Sequence, residues 1–474
     1  MEKQPNATYL PDALELPLFK VLGQISIQFN KEIFVIGGYA RDYLLGKECK
    51  DIDIVAVGSG IEVAEVFAKE IGVENVITYQ NFGTALVRVG DYNVEFVGAR
   101  KESYRSNSRK PIVENGSLLE DQLRRDFTIN ALSLNLNPNN WGELIDPFGG
   151  VADLVSGILK TPNNPDVTFS DDPLRMLRAV RFATTLGFKI EEKTYQALST
   201  NKERIKIVSA ERIVEELNKM LMATQPSIGF KLLFNTGLLD IIFPEFAHLQ
   251  GVDIMNGQAH KDNFYHTLKV VDNICQTTDN LWLRWAAMLH DIAKPATKRY
   301  DPKIGWTFWG HEELGARMTP KIFQKLKLPT NEKMKYVQKL VRLHLRPISL
   351  VDEEVTDSAI RRLIVDAGED LEDLMKLCRA DITTRDEAKM DKYLANYKYV
   401  EKKIEEVMER DRLRNWQPPI TGQIIMETFD LQPGKEIGII KDMVRNAIMD
   451  GIIPNEYEAA FDYMLKVGNK LLKG

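Results

Sequence analysis

Ile33-Phe34-Val35-Ile36-Gly37-Gly38-Tyr39-Ala40-Arg41-Asp42, with Asp51-Ile52-Asp53-Ile54-Val55 starting nine residues later, decides how the first part of this chain is read. The first stretch is an apolar run that stops at two glycines. The second alternates charged and apolar residues with the period of a strand. As a strand it sends Asp51 and Asp53 to one face and Ile52 and Ile54 into a core. Two carboxylates side by side repel each other and attract a hard divalent cation such as Mg²⁺. Glycines at 37 and 38 let the backbone approach a phosphate closely, and Arg41 can add charge-assisted bonds to it.

Working outward, short apolar or alternating runs at 33–37, 51–57, 83–89, 92–97 and 132–136 predict strands, with helices at about 14–30 and 61–71. Glu95 lies in Tyr92-Asn93-Val94-Glu95-Phe96-Val97 and is expected on the carboxylate face, whereas Asp91 reads as a hairpin turn. Arg100, Lys101, Tyr104, Arg105, Arg109 and Lys110 show no apolar period and are expected to form a mobile basic loop. Arg124 and Arg125 are candidates for phosphate, and Asn130 for a ribose or the glycine turn. From about 171 onward the spacing turns helical. Trp306-Thr307-Phe308-Trp309 reads as a loop with buried aromatics.

Composition narrows the field. At 474 residues the chain exceeds one core, and several domains are expected. A net charge of -6 argues against a bulk polyanion binder but leaves room for a local basic groove. Three cysteines, Cys49, Cys275 and Cys378, share no metal-ligand or disulfide spacing, which fits a reducing, cytoplasmic setting. No apolar run reaches the length of a membrane span, so no membrane partner is expected.

Gly38-x-x-Arg41-Asp42, Asp51-x-Asp53 and Arg125-Asp126-Phe127-Thr128-Ile129-Asn130-Ala131 together resemble the class II tRNA nucleotidyltransferase and bacterial poly(A) polymerase family, over roughly residues 20–240. The resemblance implies an α+β fold class. A polymerase-β-like head, a small mixed sheet with helices, is followed by an all-α body. It also implies that Asp51, Asp53 and Glu95 are catalytic, and that Gly37, Gly38, Arg41, Arg124, Arg125, Asp126 and Asn130 bind nucleotide. The family's base-reading motif has its match at Asp172-Pro173-Leu174-Arg175-Met176-Leu177-Arg178-Ala179-Val180-Arg181. From the residues alone, Asp172 is equally a helix cap with Pro173 behind it. Helical geometry puts Asp172, Arg175 and Arg178 on one broad face and rotates Arg181 away. Asp146-Pro147-Phe148-Gly149-Gly150-x-x-Asp153 matches the family's hinge, and is also an ordinary turn into a helix.

A second constellation lies further on. Four of the six histidines, His266, His290, His311 and His344, fall in one segment, and His290 is followed by Asp291. A His-Asp pair on an apolar helix is costly unless a metal or partner satisfies it. With Asp381, the order His266, His290-Asp291, Asp381 resembles the HD superfamily of metal-dependent phosphohydrolases. His311 and His344 would extend the set to two divalent metals. The expected domains are a head at 14–155, a helical neck at 156–250, an HD domain at 251–395 and a helical tail at 396–474. The function implied is CCA addition to tRNA 3′ ends from CTP and ATP. The alternatives are a poly(A) polymerase, a CC-only or A-only enzyme, or an HD phosphohydrolase with an inactive RNA-binding head.

Overall fold

The computed structural model describes residues 8–80, 83–105, 108–351, 356–384, 386–411 and 418–473. The chain forms two compact units, Met1–Ala247 and His248–Gly474. The expected head lies in the first, as does the expected neck up to Ala247.

In the first unit a seven-stranded sheet is ordered β3-β4-β5-β2-β1-β8-β9 among the described residues. Its strands are β1 (Ile33–Ile36), β2 (Asp51–Ala56), β3 (Val76–Tyr79), β4 (Thr84–Val89), β5 (Tyr92–Gly98), β8 (Ser133–Asn135) and β9 (Leu144–Ile145). β2 and β5 run parallel, while β1 is antiparallel to both β2 and β8. The intervening β6 (Arg100–Arg105) and β7 (Ser108–Asn115) form a separate hairpin. The basic stretch expected as a mobile loop is therefore paired backbone. Its apolar residues show no alternation, so the periodicity test did not detect it. The side chains of Tyr104, Arg105, Arg109 and Lys110 lie outside the described residues.

One face of the sheet is the core. Ile52, Ile54, Val94 and Phe96 pack there with Phe19, Leu22 and Ile25 of α1 (Pro17–Gln28) and with Val63, Ala64 and Phe67 of α3 (Gly60–Glu70). α1 starts with Pro17 at its first turn, and α3 starts at Ser59, whose hydroxyl accepts from the Glu62 N–H. On the opposite face Ile36, Val55 and Ala99 form a second, smaller buried cluster, and Asp51, Asp53 and Glu95 share that side. α2 (Gly38–Leu44) follows β1 directly.

Behind the sheet come α4 (Leu118–Leu123), α5 (Gly150–Ser156), α6 (Pro165–Asp171), α7 (Leu174–Leu186), α8 (Glu192–Asn201) and α9 (Ala210–Leu221). The expected hinge leads into α5. Asp146 accepts from the Gly150 and Val151 N–H groups at 2.7 and 2.9 Å, and Thr128 donates to Asp153 at 2.6 Å. A Cβ on Gly150 would lie 2.3 Å from the Thr128 carbonyl oxygen. Gly150 thus answers a demand for close approach.

The second unit is mostly helical. Its last three helices, Gly422–Phe429, Lys435–Met449 and Tyr457–Lys473, enclose a small core of Ile425, Ile440, Val444 and Met464. The expected aromatic loop is instead partly a strand, Gly305–Thr307, paired with Arg299–Asp301, and Trp309 is 76% exposed rather than buried. No described helix is long and apolar enough to cross a membrane.

Gly60 opens α3 where the helix crosses β5, and a Cβ there would sit 2.5 Å from the Val97 carbonyl carbon. Gly60→Ala is expected to lower the unfolding free energy by about 1–3 kcal/mol through overpacking against backbone. Denaturant unfolding checks this, and an unchanged midpoint would contradict the packing.

Candidate functional site

The alternation of β2 places Asp51 and Asp53 on the open face of the sheet. The parallel register then sets Asp53 beside Glu95, and the antiparallel register sets it beside Ile36 of β1. Burial holds the Asp53 carboxyl above its usual range, with Asp51 pushing the same way and Arg125 opposing. Glu95 is also raised, by burial and then by Asp53. Three carboxylates crowded on one face suit a cation, which would relieve this repulsion.

β1 ends at Gly37, whose φ of +77° is in the left-handed region. A Cβ there would meet Arg125 Nη1 at 3.1 Å and Asp53 Oδ2 at 3.4 Å. Conformation and space both require glycine at this position. Arg125 is thereby placed between the turn and the carboxylates. Gly38 begins α2.

The other expected nucleotide ligands are more committed to the protein than the sequence implied. Arg41 donates to both carboxylate oxygens of Asp42 at 2.8 and 2.9 Å and to Asn130 Oδ1 at 2.7 Å. These bonds fix the orientation of its guanidinium. Asn130 accepts from Arg41 and donates to Asp126. Arg124 and Arg125 both pair with Asp121, a fully buried carboxylate that the sequence reading passed over. Its spacing of three and four residues ahead of the arginines was the available signal.

Asp126 is buried and accepts from the Asn130 amide at 3.0 Å and from Arg178 Nε at 2.7 Å. Burial would raise it, but Arg178 outweighs this and the carboxyl is held down to about 2. Asp172 Oδ1 accepts from Leu174 N at 3.2 Å, so it serves α7 as a cap. Arg175 is buried, with Nη1 3.4 Å from the Thr168 carbonyl. Arg181, expected to have rotated away, donates to Glu216 of α9 at 2.5 Å and lies 3.8 Å from the Phe182 ring centroid. Arg178 and Arg41 face the same ring at 5.4 and 5.0 Å. Helical drift alone overlooked this, because Phe182 and Glu216 draw Arg181 back toward Arg178.

The second unit gathers the histidines at helix ends. His290 and His344 cap the C-termini of helices Leu281–Leu289 and Glu332–Leu343, and Asp381 caps Leu371–Ala380. His311 opens helix His311–Leu326, and His266 lies in Asn263–Ile274. Nδ1 of His290, His311 and His344 lies 2.7, 2.8 and 2.7 Å from the carbonyl oxygens of Ala287, Phe308 and Val341. Only a protonated Nδ1 can donate there, which leaves each Nε2 lone pair for a metal. His266 Nδ1 instead lies 2.9 Å from Thr383 Oγ1.

Two triads result, His266, His290 and Asp381, and Asp291, His311 and His344, with the ligand atoms of each within 4.8 Å of one another. Asp291 Oδ2 lies 3.4 and 3.3 Å from His266 and His290 Nε2, while Oδ1 lies 3.2 Å from His311 Nε2. One carboxylate thus faces both triads. His290 Nε2 is buried with no hydrogen-bond partner, an orphan that a metal would satisfy. Burial pulls His290 down, but Asp291 and Asp381 outweigh it and hold it at about 10. Burial and the neighbouring His290 push His344 down to about 4. The donor set of imidazole and carboxylate fits a transition-type divalent cation.

Residues 33–160 match the family described as "Poly A polymerase head domain", 187–249 the "Probable RNA and SrmB- binding site of polymerase A", and 263–386 the "HD domain". The chain is 31% identical over 438 residues to an A-adding tRNA nucleotidyltransferase of Deinococcus radiodurans, covering 90% of this chain and 93% of the relative. It is 31% identical over 445 residues to a CC-adding tRNA nucleotidyltransferase of Thermus thermophilus, covering 90% and 92%. It also resembles a solved tRNA nucleotidyltransferase complexed with a primer tRNA and an incoming ATP analog. There the TM-score is 0.56 at 25% identity, over 81% of this chain and 99% of that one.

A metal entering the histidine cluster displaces the proton that His290 holds up to about pH 10. Below that pH each metal bound this way releases a proton, so affinity rises with pH, by about tenfold per unit for one proton. Calorimetric titration with Mn²⁺ at pH 6.5 and 7.5 reads this, and equal affinities would contradict it. Because Asp291 faces both triads, Asp291→Ala is expected to lower the bound metal per chain more than His311→Ala does, measured by elemental analysis after dialysis.

Proposed function

Because the chain belongs to the tRNA nucleotidyltransferase family, we propose that its head adds C, C and A in turn to the 3′ end of tRNA, using CTP and ATP. The observation that carries the reading is the row of Asp51, Asp53 and Glu95 on one open sheet face, with Arg125 and the Gly37 turn beside it. Mg²⁺ held by Asp51 and Asp53 would supply the Lewis acid for the primer hydroxyl and for the triphosphate charge. The protein's own groups do the rest. The Gly37–Gly38 turn admits the triphosphate close to backbone, and Arg125 Nη1 faces that space. The raised pKa of Glu95 suits it to take the proton of the primer hydroxyl.

Base choice falls to Asp172 and Arg175, with Arg178 and Arg181 behind them. A carboxylate accepts from the exocyclic amine of C or A, and a guanidinium donates to a ring nitrogen. On their Watson–Crick edges G and U present a protonated ring nitrogen instead, and so do not offer that pair of groups side by side. The Asp126–Arg178 ion pair fixes α7, and with it this reading edge, against the head.

For the histidine cluster we take a metal-dependent phosphohydrolase centre, acting on a phosphate ester. Two divalent cations held by His266, His290 and Asp381, and by Asp291, His311 and His344, would activate water there.

A second reading has a specific observation behind it. The two relatives compared above at near full length are named for A addition and for CC addition, at the same 31% identity. Incorporation on tRNA transcripts ending before CCA and after CC, with CTP, ATP or both, separates the cases. Two C and one A, then a stop, is the expected result. Only C on the first transcript with nothing added to the second, or A on the second with nothing added to the first, moves the protein to the partial branch, and a long A tract moves it to poly(A) addition. Asp53→Ala is expected to lower incorporation by roughly a thousandfold or more while sparing phosphohydrolase activity. Asp291→Ala should do the reverse, as measured on the same preparations with a chromogenic phosphodiester.

A further inference from the structure

Asp121 is fully buried, in a helix that the sequence pins at both ends. At its start Ser117 and Glu120 cap each other's backbone in a capping box. At its end the Gln122 amide donates to the Ala131 carbonyl at 2.7 Å, the Ser133 hydroxyl at 3.1 Å and the Ile145 carbonyl at 3.2 Å, tying α4 to β8 and β9. The Asp121 carboxylate therefore has a fixed place relative to the sheet.

Both of its oxygens are engaged. Oδ1 takes Arg124 Nε at 3.0 Å together with Arg124 Nη2. Oδ2 takes Arg125 Nε at 3.2 Å and Nη2 at 3.1 Å. A guanidinium gripped by Nε and Nη2 leaves one nitrogen outside the grip, and for Arg125 that nitrogen is Nη1. Nη1 is the atom 3.1 Å from where a Gly37 Cβ would lie, on the side of Asp53 Oδ2. Rotating the carboxylate to release Arg125 would break the bonds to Arg124 as well.

We propose that Asp121 is a positioning residue for nucleotidyl transfer: it turns the Arg125 guanidinium so that Nη1 faces the Gly37 turn, where it binds a phosphate of the incoming nucleotide. Asp121 itself touches neither nucleotide nor primer. The inference rests on the head being the transfer site.

The test is steady-state incorporation with a double-substitution cycle. Asp121→Asn keeps the volume and an acceptor but drops the charge. It is expected to raise KM for ATP and CTP about tenfold, the loss of one well-aimed charged hydrogen bond, with KM for tRNA unchanged. Arg125→Met is expected to give the same rise, and Asp121→Asn added to it is expected to do nothing further. Independent, multiplying effects would overturn the proposal. So would a lowered melting temperature with KM unmoved, which is what a merely structural carboxylate gives. Should Asp121→Asn fail to fold, Arg125→Lys keeps the charge and drops the fork, and an unchanged nucleotide KM in that variant equally overturns the proposal. Asp53→Ala runs alongside. If it still incorporates nucleotide, the head assignment fails; if it is inactive and the cycle shows no coupling, only the Asp121 assignment fails.

Discussion

A carboxylate taken out of water has to be met by charge, and in the first unit the buried carboxylate that joins the glycine turn to α7 is Asp126. It accepts from the Phe127 N–H, from the Asn130 amide and from Arg178. Asn130 in turn holds Arg41, in the helix that follows the glycine turn, while Arg178 belongs to α7. The sheet turn and α7 are thus joined through one ion. Removing Arg178 would leave the buried Asp126 carboxylate without its charged partner, a penalty that the partial exposure of Arg178 itself tempers. The rest of the site depends on this join. The carboxylate face of the sheet and the arginines of α7 keep a fixed separation only through this join.

The arginines around Phe182 follow the same logic. Arg41, Arg178 and Arg181 gather on one ring, where their mutual repulsion would be severe if they were bare. Each has its own carboxylate, Asp42, Asp126 and Glu216. What remains is a rigid array of donors with little net charge. Hydrogen-bond pattern rather than bulk attraction can then govern what binds there. This is also how a chain with a net charge of -6 can handle a polyanion.

Much of the sheet was legible because its strands alternate. The runs at 51–57 and 92–97 foretold β2 and β5, and the side that Asp51 and Asp53 share followed from the period alone. Pairing was not legible. Nothing local says that β2 lies parallel to β5, yet that register puts Glu95 beside Asp53. The β6–β7 hairpin escaped because its residues do not alternate. Asp121 escaped because a buried acid is recognised by its partners, and Arg124 and Arg125 had been given to a phosphate. The histidines were legible as a crowd. Their division into two triads, with Asp291 facing both, needed the helix ends brought together in three dimensions.

Three of those histidines are held through Nδ1 by carbonyl oxygens of their own chain, three residues earlier. No side chain takes part in that grip. The tautomer of each ring is therefore inherited from the main chain. Substitutions among neighbouring side chains can alter the polarity or volume around the cluster without turning a lone pair away from its centre, as long as the helix ends stay in place. His266, whose Nδ1 meets the Thr383 hydroxyl, is the one ring of the four whose orientation rests on a side chain.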